Sequence, residues 1–393
     1  MNKSYLALGA AGLFLLSGCA TTDVKTINLT GDVMIDAPRA IAEGPPRDKS
    51  LWEYRLASAC MRNGNFQQAK QSLDDALLTL GGIYGKDPNA KKARSYFSEE
   101  NQKTFIGEPY ERVMAYYYRG ILYWMDGEPD NARACFRTGE LEDSSSDLKE
   151  YNGDYVTLDY LDGLASTKLA QDGSDAYNRA VAECKEFPKP PPYDPQANVL
   201  VFVEFGPGPR KYATGRYHEE LRFTVPQSFV HSAVVRVEDK VVNIDPLDDL
   251  GFQATTRGGR VLDHVLANMA VFKGTTDAVG NAAIIGGAIA ATSQNQTSEE
   301  VGLGLIAAGI ISKVVSASTT PQADVRMWDN LPRYLSFTGL ELPPGPHTLA
   351  VDFRDANGQL IPELTKTVTF DVSADKRDKV LFVSDKSKNP LSL

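Results

Sequence analysis

Five prolines in nine residues, Phe187-Pro188-Lys189-Pro190-Pro191-Pro192-Tyr193-Asp194-Pro195, decide how this chain can be organised. Proline has no amide proton, fixes its own φ and pushes the preceding residue to extended backbone, so neither a helix nor a central strand passes through this stretch. It reads as an extended, semi-rigid boundary. Before it, apolar residues recur at helical spacing. After it, they alternate or run continuously between Gly/Pro turns. The expected fold class is therefore multidomain α + β, with a helical repeat domain at 50–186, a linker at 187–197 and a β-sandwich-like domain at 198–393. A length of 393 residues is in keeping with two or three such units.

The first residues carry an address. Lys3 precedes an apolar run over residues 6–16, about half the length a membrane span requires. The run ends in Leu16-Ser17-Gly18-Cys19. A leucine, two small residues and a cysteine at this place resemble the lipobox of bacterial lipoproteins. The resemblance implies a signal peptide at 1–18, cleavage before Cys19 and lipidation of Cys19 on its sulfur and new amine. Three acyl chains exceed what stable anchoring requires. Ala20 and Thr21 follow, with no Asp after the cysteine, and in that family this favours the outer membrane, lipid-anchored and facing the periplasm. Residues 19–49 read as a lipidated tether, with one short strand expected at 32–36.

The helical half repeats one template. Leu56-Ala57 and Cys60 precede Gly64-Asn65-Phe66 and Ala69; Arg119-Gly120 and Tyr123 precede Gly127-Glu128-Pro129 and Ala132. In both copies twelve residues separate the small residue of the first helix from the alanine of the second. Small residues let two antiparallel helices approach, and the glycine ends the first helix. This resembles the tetratricopeptide repeat. It departs from that family at Arg119, where an apolar side chain is usual, and in a spacing of 63 residues instead of about 34. A third hairpin is expected over 155–185, with Gly163 opposite Ala176. Gly120 is expected to face Ala132. The aromatics Tyr116, Tyr117, Tyr118, Tyr123 and Trp124 suit inter-helix packing or, as the sharper reading, a ligand groove.

In the second half, residues 199–205 form an apolar run with Glu204 as its one polar residue, as expected of a strand covered on both faces. Alternation at 221–225, 233–237, 241–244, 347–354, 364–372 and 380–383 adds further strands, and Asn357-Gly358 signals a hairpin turn. Residues 259–316 are an inserted helical segment. Its Gly/Ala-rich stretches at 278–292 and 301–315 are each too short to span a bilayer. They suit a pair of packed helices or, alternatively, a membrane- or pore-associated element.

As a whole the chain resembles a bacterial envelope lipoprotein family with divergent tetratricopeptide-like repeats and a C-terminal β domain. The residues that carry this are the lipobox, Gly107-Glu108-Pro109-Tyr110-Glu111, the stretch from Gly206 to Lys211, and Asp324-x-Arg326-x-Trp328-x2-Leu331-Pro332 ahead of Leu342-Pro343-Pro344-Gly345. The resemblance implies envelope or cell-wall assembly through an envelope protein partner.

Chemistry-bearing motifs do not add to this. The sequence holds no H-E-x-x-H, no paired-cysteine motif, no G-x-S-x-G elbow and no P-loop. The four histidines, His218, His231, His264 and His347, are scattered, and no metal or cofactor site is expected. Forty-one basic against 51 acidic residues leave a net charge of −10, which gives no electrostatic footprint for nucleic acid. Glu108 and Glu111 are explained by a helix start, and Asp324 with Arg326 by a salt bridge. The expected function is a protein-interaction scaffold and not an enzyme. A glycan- or peptide-acting enzyme would need two carboxylates facing one another across a cleft.

Overall fold

The computed structural model describes residues 27–84, 103–143, 154–256, 323–375 and 377–393. The signal segment, Cys19 and the Gly/Ala-rich stretches at 278–292 and 301–315 lie outside these. Before the linker the chain is helical: α1 (Val33–Glu43), α2 (Lys49–Arg62), α3 (Phe66–Tyr84), α4 (Pro109–Met125), α5 (Pro129–Asp143), α6 (Val156–Lys168) and α7 (Ser174–Glu183). After it come β1 (Val199–Pro207), β2 (Arg210–Thr214), β3 (Glu220–Thr224), β4 (Ser232–Val237), β5 (Lys240–Ile244), β6 (Asp248–Asp249), α8 (Leu250–Thr256), β7 (Pro332–Leu340), β8 (Gly345–Arg354), β9 (Lys366–Val372), β10 (Lys379–Ser384) and β11 (Leu391–Ser392). The α + β layout therefore stands, with helices first and mixed sheets second. No helix among the described residues is long and apolar enough to cross a membrane.

The segment expected to be a strand at 32–36 is the start of α1. Asp32 caps it, its carboxylate accepting from the Met34 amide at 2.8 Å, and local capping outweighs a weak alternation. Ala37 and Ala40 bury the inner side of this helix, so the presumed tether is ordered from Ile27 onward.

Helices α2 and α3, α4 and α5, and α6 and α7 form three successive hairpins. Gly64 and Gly127 follow α2 and α4 with φ of +73° and +81°, the left-handed backbone that ends a helix at glycine. The close approach inside the second hairpin is real, but its partner differs from the expected one. A Cβ on Gly120 would meet the Phe136 ring at 2.5 Å, and Ala132 is not among its nearest neighbours. Phe136 lies one turn beyond Ala132 on the same side of α5 and fills the space first. In the third hairpin Gly163 lies against the Gly173 carbonyl and the hydroxyl of Tyr193, a residue of the linker.

Two sheets follow, in the orders β10-β1-β7-β6 and β11-β9-β8-β4-β5, with β2 and β3 as a separate ribbon. β1 is central. It runs parallel to β10, Val201 opposite Leu381, and antiparallel to β7, Val201 opposite Thr338. Its side chains divide strictly by parity. Val199, Val201, Val203 and Phe205 enter a core between the two sheets with Val235, Leu349, Val351, Phe353 and Phe370. Leu200 and Phe202 enter a second core, shared with Phe337, Phe382, Tyr54, Tyr117, Tyr118 and Trp328. That second core contains residues of α2, α4 and α6, so the helical and β parts are packed on one another. The layers run from α3, α5 and α7 outside, through α2, α4 and α6, to the β1 sheet and then the β8 sheet.

The linker is packed too. Tyr193 sits 5.0 Å from Tyr160 and 5.3 Å from Tyr177, centroid to centroid, and the Tyr177 hydroxyl donates to the Pro190 carbonyl at 3.2 Å. The Asn357-Gly358 signal marks a real turn, with Gly358 at φ +74°, but it sits inside the long β8–β9 connection and not in a two-residue hairpin.

Gly120→Leu should overpack the second hairpin and cost about 1–3 kcal/mol in urea denaturation, with partial recovery when Phe136 is shortened to Leu in the same chain. Full stability of the single variant would contradict the contact.

Candidate functional site

Polar chemistry concentrates along the seam between the inner helices and the β1 sheet. Glu204 lies on the helix-facing side of β1 and is fully buried. Arg62, at the end of α2, donates to its Oε1 from Nε at 2.6 Å, and the Tyr118 hydroxyl donates to Oε2 at 2.5 Å. A carboxylate removed from water costs several kcal/mol unless charge and hydrogen bonds replace the solvent, and here α2 and α4 supply both. Further along, Glu111 of α4 closes a capping box with Glu108, accepting the Glu108 amide at 2.7 Å. It also accepts Lys211 Nζ at 2.5 Å and the Trp328 amide at 2.6 Å. Burial pushes its pKa up, against the pull of Lys211 and of the amides of Glu108 and Trp328.

The Asp324-to-Pro332 motif is laid across the same seam. Trp328 stacks on Tyr54 at 4.6 Å and donates from Nε1 to Ser58 at 3.1 Å. Arg326 bridges Asp324 at 2.6 Å and Asp48 at 2.7 Å. At the far end Asp378 receives Trp124 Nε1 at 3.0 Å and Lys168 Nζ at 2.7 Å. The fourth fixture is Asp248 of β6. Its carboxylate accepts the amides of Val156 at 3.1 Å and Thr157 at 2.8 Å and so caps α6 from the other half of the chain.

A cavity of about 90 Å³ opens beside Asp248, lined by Asp154, Cys184, Phe187, Leu247, Phe252 and Gln253 among others. It is well below the several hundred Å³ of a small-molecule site. Burial pushes the Asp248 carboxyl up to about 7 and Asp154 adds to this, while the hydroxyl and amide of Thr157 and the amide of Val156 pull it down. A second cavity of about 570 Å³ lies between the linker end and the β7–β8 turn, lined by Lys168, Asn198, Lys240, Pro343, Pro344 and Asp378. Its size suits a ligand, but its cations are engaged: Lys168 with Asp378 and the Ala197 carbonyl, Lys240 with the Glu341 carbonyl. Neither lining joins a nucleophile to a base.

The facing-carboxylate arrangement occurs elsewhere. Glu140 of α5 meets Asp159 of α6, and burial together with the hydrogen bond to Asp159 pushes Glu140 up to about 9. Arg179 lies across the pair, 2.6 Å from Asp159, and Arg137 holds the adjoining Asp162 at 2.9 Å. The pair is outside both cavities and is held as a structural ion cluster.

Of the residues singled out from sequence, Glu108, Glu111, Asp324 and Arg326 come together on the seam. Arg119, at the irregular repeat position, pairs with Asp74 at 2.6 Å and lies over the Tyr123 ring at 3.6 Å. Tyr117, Tyr118 and Trp124 are buried in the shared core and line no groove. Cys60, Cys135 and Cys184 are unbridged. Cys19 lies outside the described residues. Among those residues no group of three His, Cys, Asp or Glu could hold a metal ion. Sequence reading missed Arg62, Lys211, Asp248 and Asp378. Only Glu204 had a visible signal, as the one charge in an apolar run. In comparisons with known proteins, the chain matches no family model, no curated protein and no solved structure.

Two measurements test this seam. Arg62→Met should cost about 3–5 kcal/mol by leaving Glu204 buried without its cation, and adding Glu204→Gln, which keeps an acceptor for Tyr118, should return much of the loss. Asp248 is protonated in the folded protein up to about pH 7 but ionises near its ordinary value when unfolded. The unfolded state therefore binds fewer protons between about pH 4 and pH 7, and stability falls as pH rises through that window. Denaturant midpoints across pH should show this fall in the wild type and a smaller one in Asp248→Asn.

Proposed function

We propose that this chain is an outer-membrane-anchored periplasmic lipoprotein that acts as a protein-interaction scaffold in envelope or cell-wall assembly. The observation that carries the reading is Leu16-Ser17-Gly18-Cys19 behind a short apolar run. We read the three hairpins as divergent tetratricopeptide-like repeats. The twelve-residue spacing shared by the first two and the glycine ends of α2 and α4 support this, and the third, offset by thirteen, is a degraded repeat or a capping hairpin.

The packing refines how such a scaffold would work. In a tetratricopeptide array the inner helices are the ones free to receive a ligand. Here α2, α4 and α6 are covered by the chain's own sheet. The scaffold reading therefore moves the partner to the outer helices, where Leu78 of α3 and Leu141 of α5 are 74% and 70% exposed. The catalytic role stays unassigned, and the partner is an envelope protein.

Cys19→Ser should yield unprocessed or soluble periplasmic protein, read by fractionation; retention in the outer membrane would sink the anchor. A photo-crosslinking residue at Leu78 or Leu141 in the lipidated protein should capture an envelope protein that one at Phe229, on the β side, does not. Equal capture at all three positions would remove the outer helices from the reading.

A further inference from the structure

The first described residues form a rigid edge that turns most of the apolar side of α1 inward and leaves Leu29 and Ile35 outward. Ile27 lies against Gly44, at the C-terminal end of α1, so the chain enters the body there. It then runs back along the helix to Gly31 and turns into α1. Asp36 locks this return: its carboxylate accepts the amides of Thr30 and Gly31, each at 2.8 Å, and the Thr30 hydroxyl at 2.9 Å. The inner side of α1 is fixed on α2 through buried Ala37 and Ala40, with Met34 Sδ 3.9 Å from Cys60 Sγ. The outer side carries Ile35, Pro38, Arg39, Ala42 and Glu43, all exposed, with Asp32 exposed at the helix start and Leu29 exposed on the return segment.

Leu29 and Ile35 are 54% and 51% exposed, and they are two of the nine large exposed apolar residues among those described. The other seven lie on the outer helices or in the β half. This pair alone lies next to the lipidation position. Eight residue steps separate Cys19 from Ile27. Even at full extension they reach only about 26–29 Å. A body tied to a membrane by so short a connection keeps α1 near the lipid, where exposed apolar side chains such as Leu29 and Ile35 gain by entering the headgroup boundary.

We propose that the outer side of α1, with Leu29, rests on the lipid bilayer that holds the Cys19 acyl chains and sets the orientation of the whole body on that surface. This rests on the lipoprotein reading above. Arg39 sits at headgroup level, where a cation meets phosphate, and Leu29 and Ile35 enter the boundary. The layer order then places the helical hairpins and the two sheets at a defined tilt instead of on a free swivel.

The test uses the full lipidated protein in phosphatidylethanolamine vesicles with a minority of phosphatidylglycerol. Ile35→Cys, Leu29→Cys and, as a distant control, Leu141→Cys are each labelled with an environment-sensitive fluorophore in a Cys135→Ser background. Nitroxide lipids serve as quencher, and mass spectrometry first reports the acyl groups on Cys19. The expected result is severalfold stronger quenching at positions 35 and 29 than at 141, with the label at 35 losing its quenching on Leu29→Asp and the label at 29 losing it on Ile35→Asp, in protein that remains lipidated. A lipidated protein whose labels at 35 and 141 quench alike overturns the docking and leaves the anchor standing. A chain without acyl groups overturns the anchor and the docking with it. A change at position 35 that appears in detergent without vesicles and grows with protein concentration assigns the surface to a second copy and also overturns the proposal.

Discussion

A carboxylate sits in the middle of a strand that is covered on both faces, and the rest of the structure is arranged around that fact. β1 has no solvent side: its odd residues face the second sheet and its even residues face the helices. Glu204 falls on the even side, where Arg62 and Tyr118 reach it. A shift of β1 by one residue would turn Glu204 away from Arg62 and Tyr118 and toward the core between the two sheets. The buried pair therefore selects one register for β1 and one placement of α2 and α4 over it. Its energetic contribution against an apolar replacement is small or negative; its effect is on which packing is allowed.

The same logic recurs at each end of the seam, and it makes the two halves dependent on one another. Helix α6 begins at Tyr155, which offers no side-chain cap of its own. The orphan amides of its first turn are met by Asp248, more than ninety residues later in the chain. Glu111 serves two masters: it caps its own helix and receives Lys211 and Trp328 from the other half. Asp378 draws Lys168 and Trp124 onto the turn before β10. Asp248, Glu111 and Asp378 thus each meet partners supplied by the opposite half of the chain.

This pattern explains which parts of the molecule could be read from sequence. Helices with glycine ends and strands with alternating residues are local properties, and α2, α4, β4 and β8 were legible for that reason. β7 was not, because its burial on both faces hides any alternation: Tyr334, Leu335, Ser336 and Phe337 are all covered. α1 was misread because capping by Asp32 is a matter of one hydrogen bond, invisible to periodicity. The proline run was correctly a boundary of secondary structure but not a spacer between independent bodies. Tyr193 and Pro190 pack onto α6 and α7, and that contact depends on Gly163 having no side chain. The side-chain pairs that cross the seam are separated by 86 to 278 residues, from Tyr118 with Glu204 to Arg326 with Asp48, and no window along the chain contains both members.

The aromatic character of the inner helices follows from the same closure. An inner helix that must pack on a sheet needs large apolar and aromatic residues where a peptide-receiving helix would keep polar ones. α4 is buried along nearly its whole length, with Tyr117, Tyr118 and Trp124 turned into the shared core. A groove filled in this way cannot open to a peptide without breaking the Glu204, Glu111 and Asp378 contacts together. Recognition by this fold is thereby confined to surfaces that the layers leave outside. Those are the outer helices, the far sheet and the edge formed by α1. The tight attachment of α1 to α2 means that whatever holds the N-terminal end also holds the first inner helix, and through Arg62 the central strand. Position at the start of α1 is transmitted to the core by direct contacts.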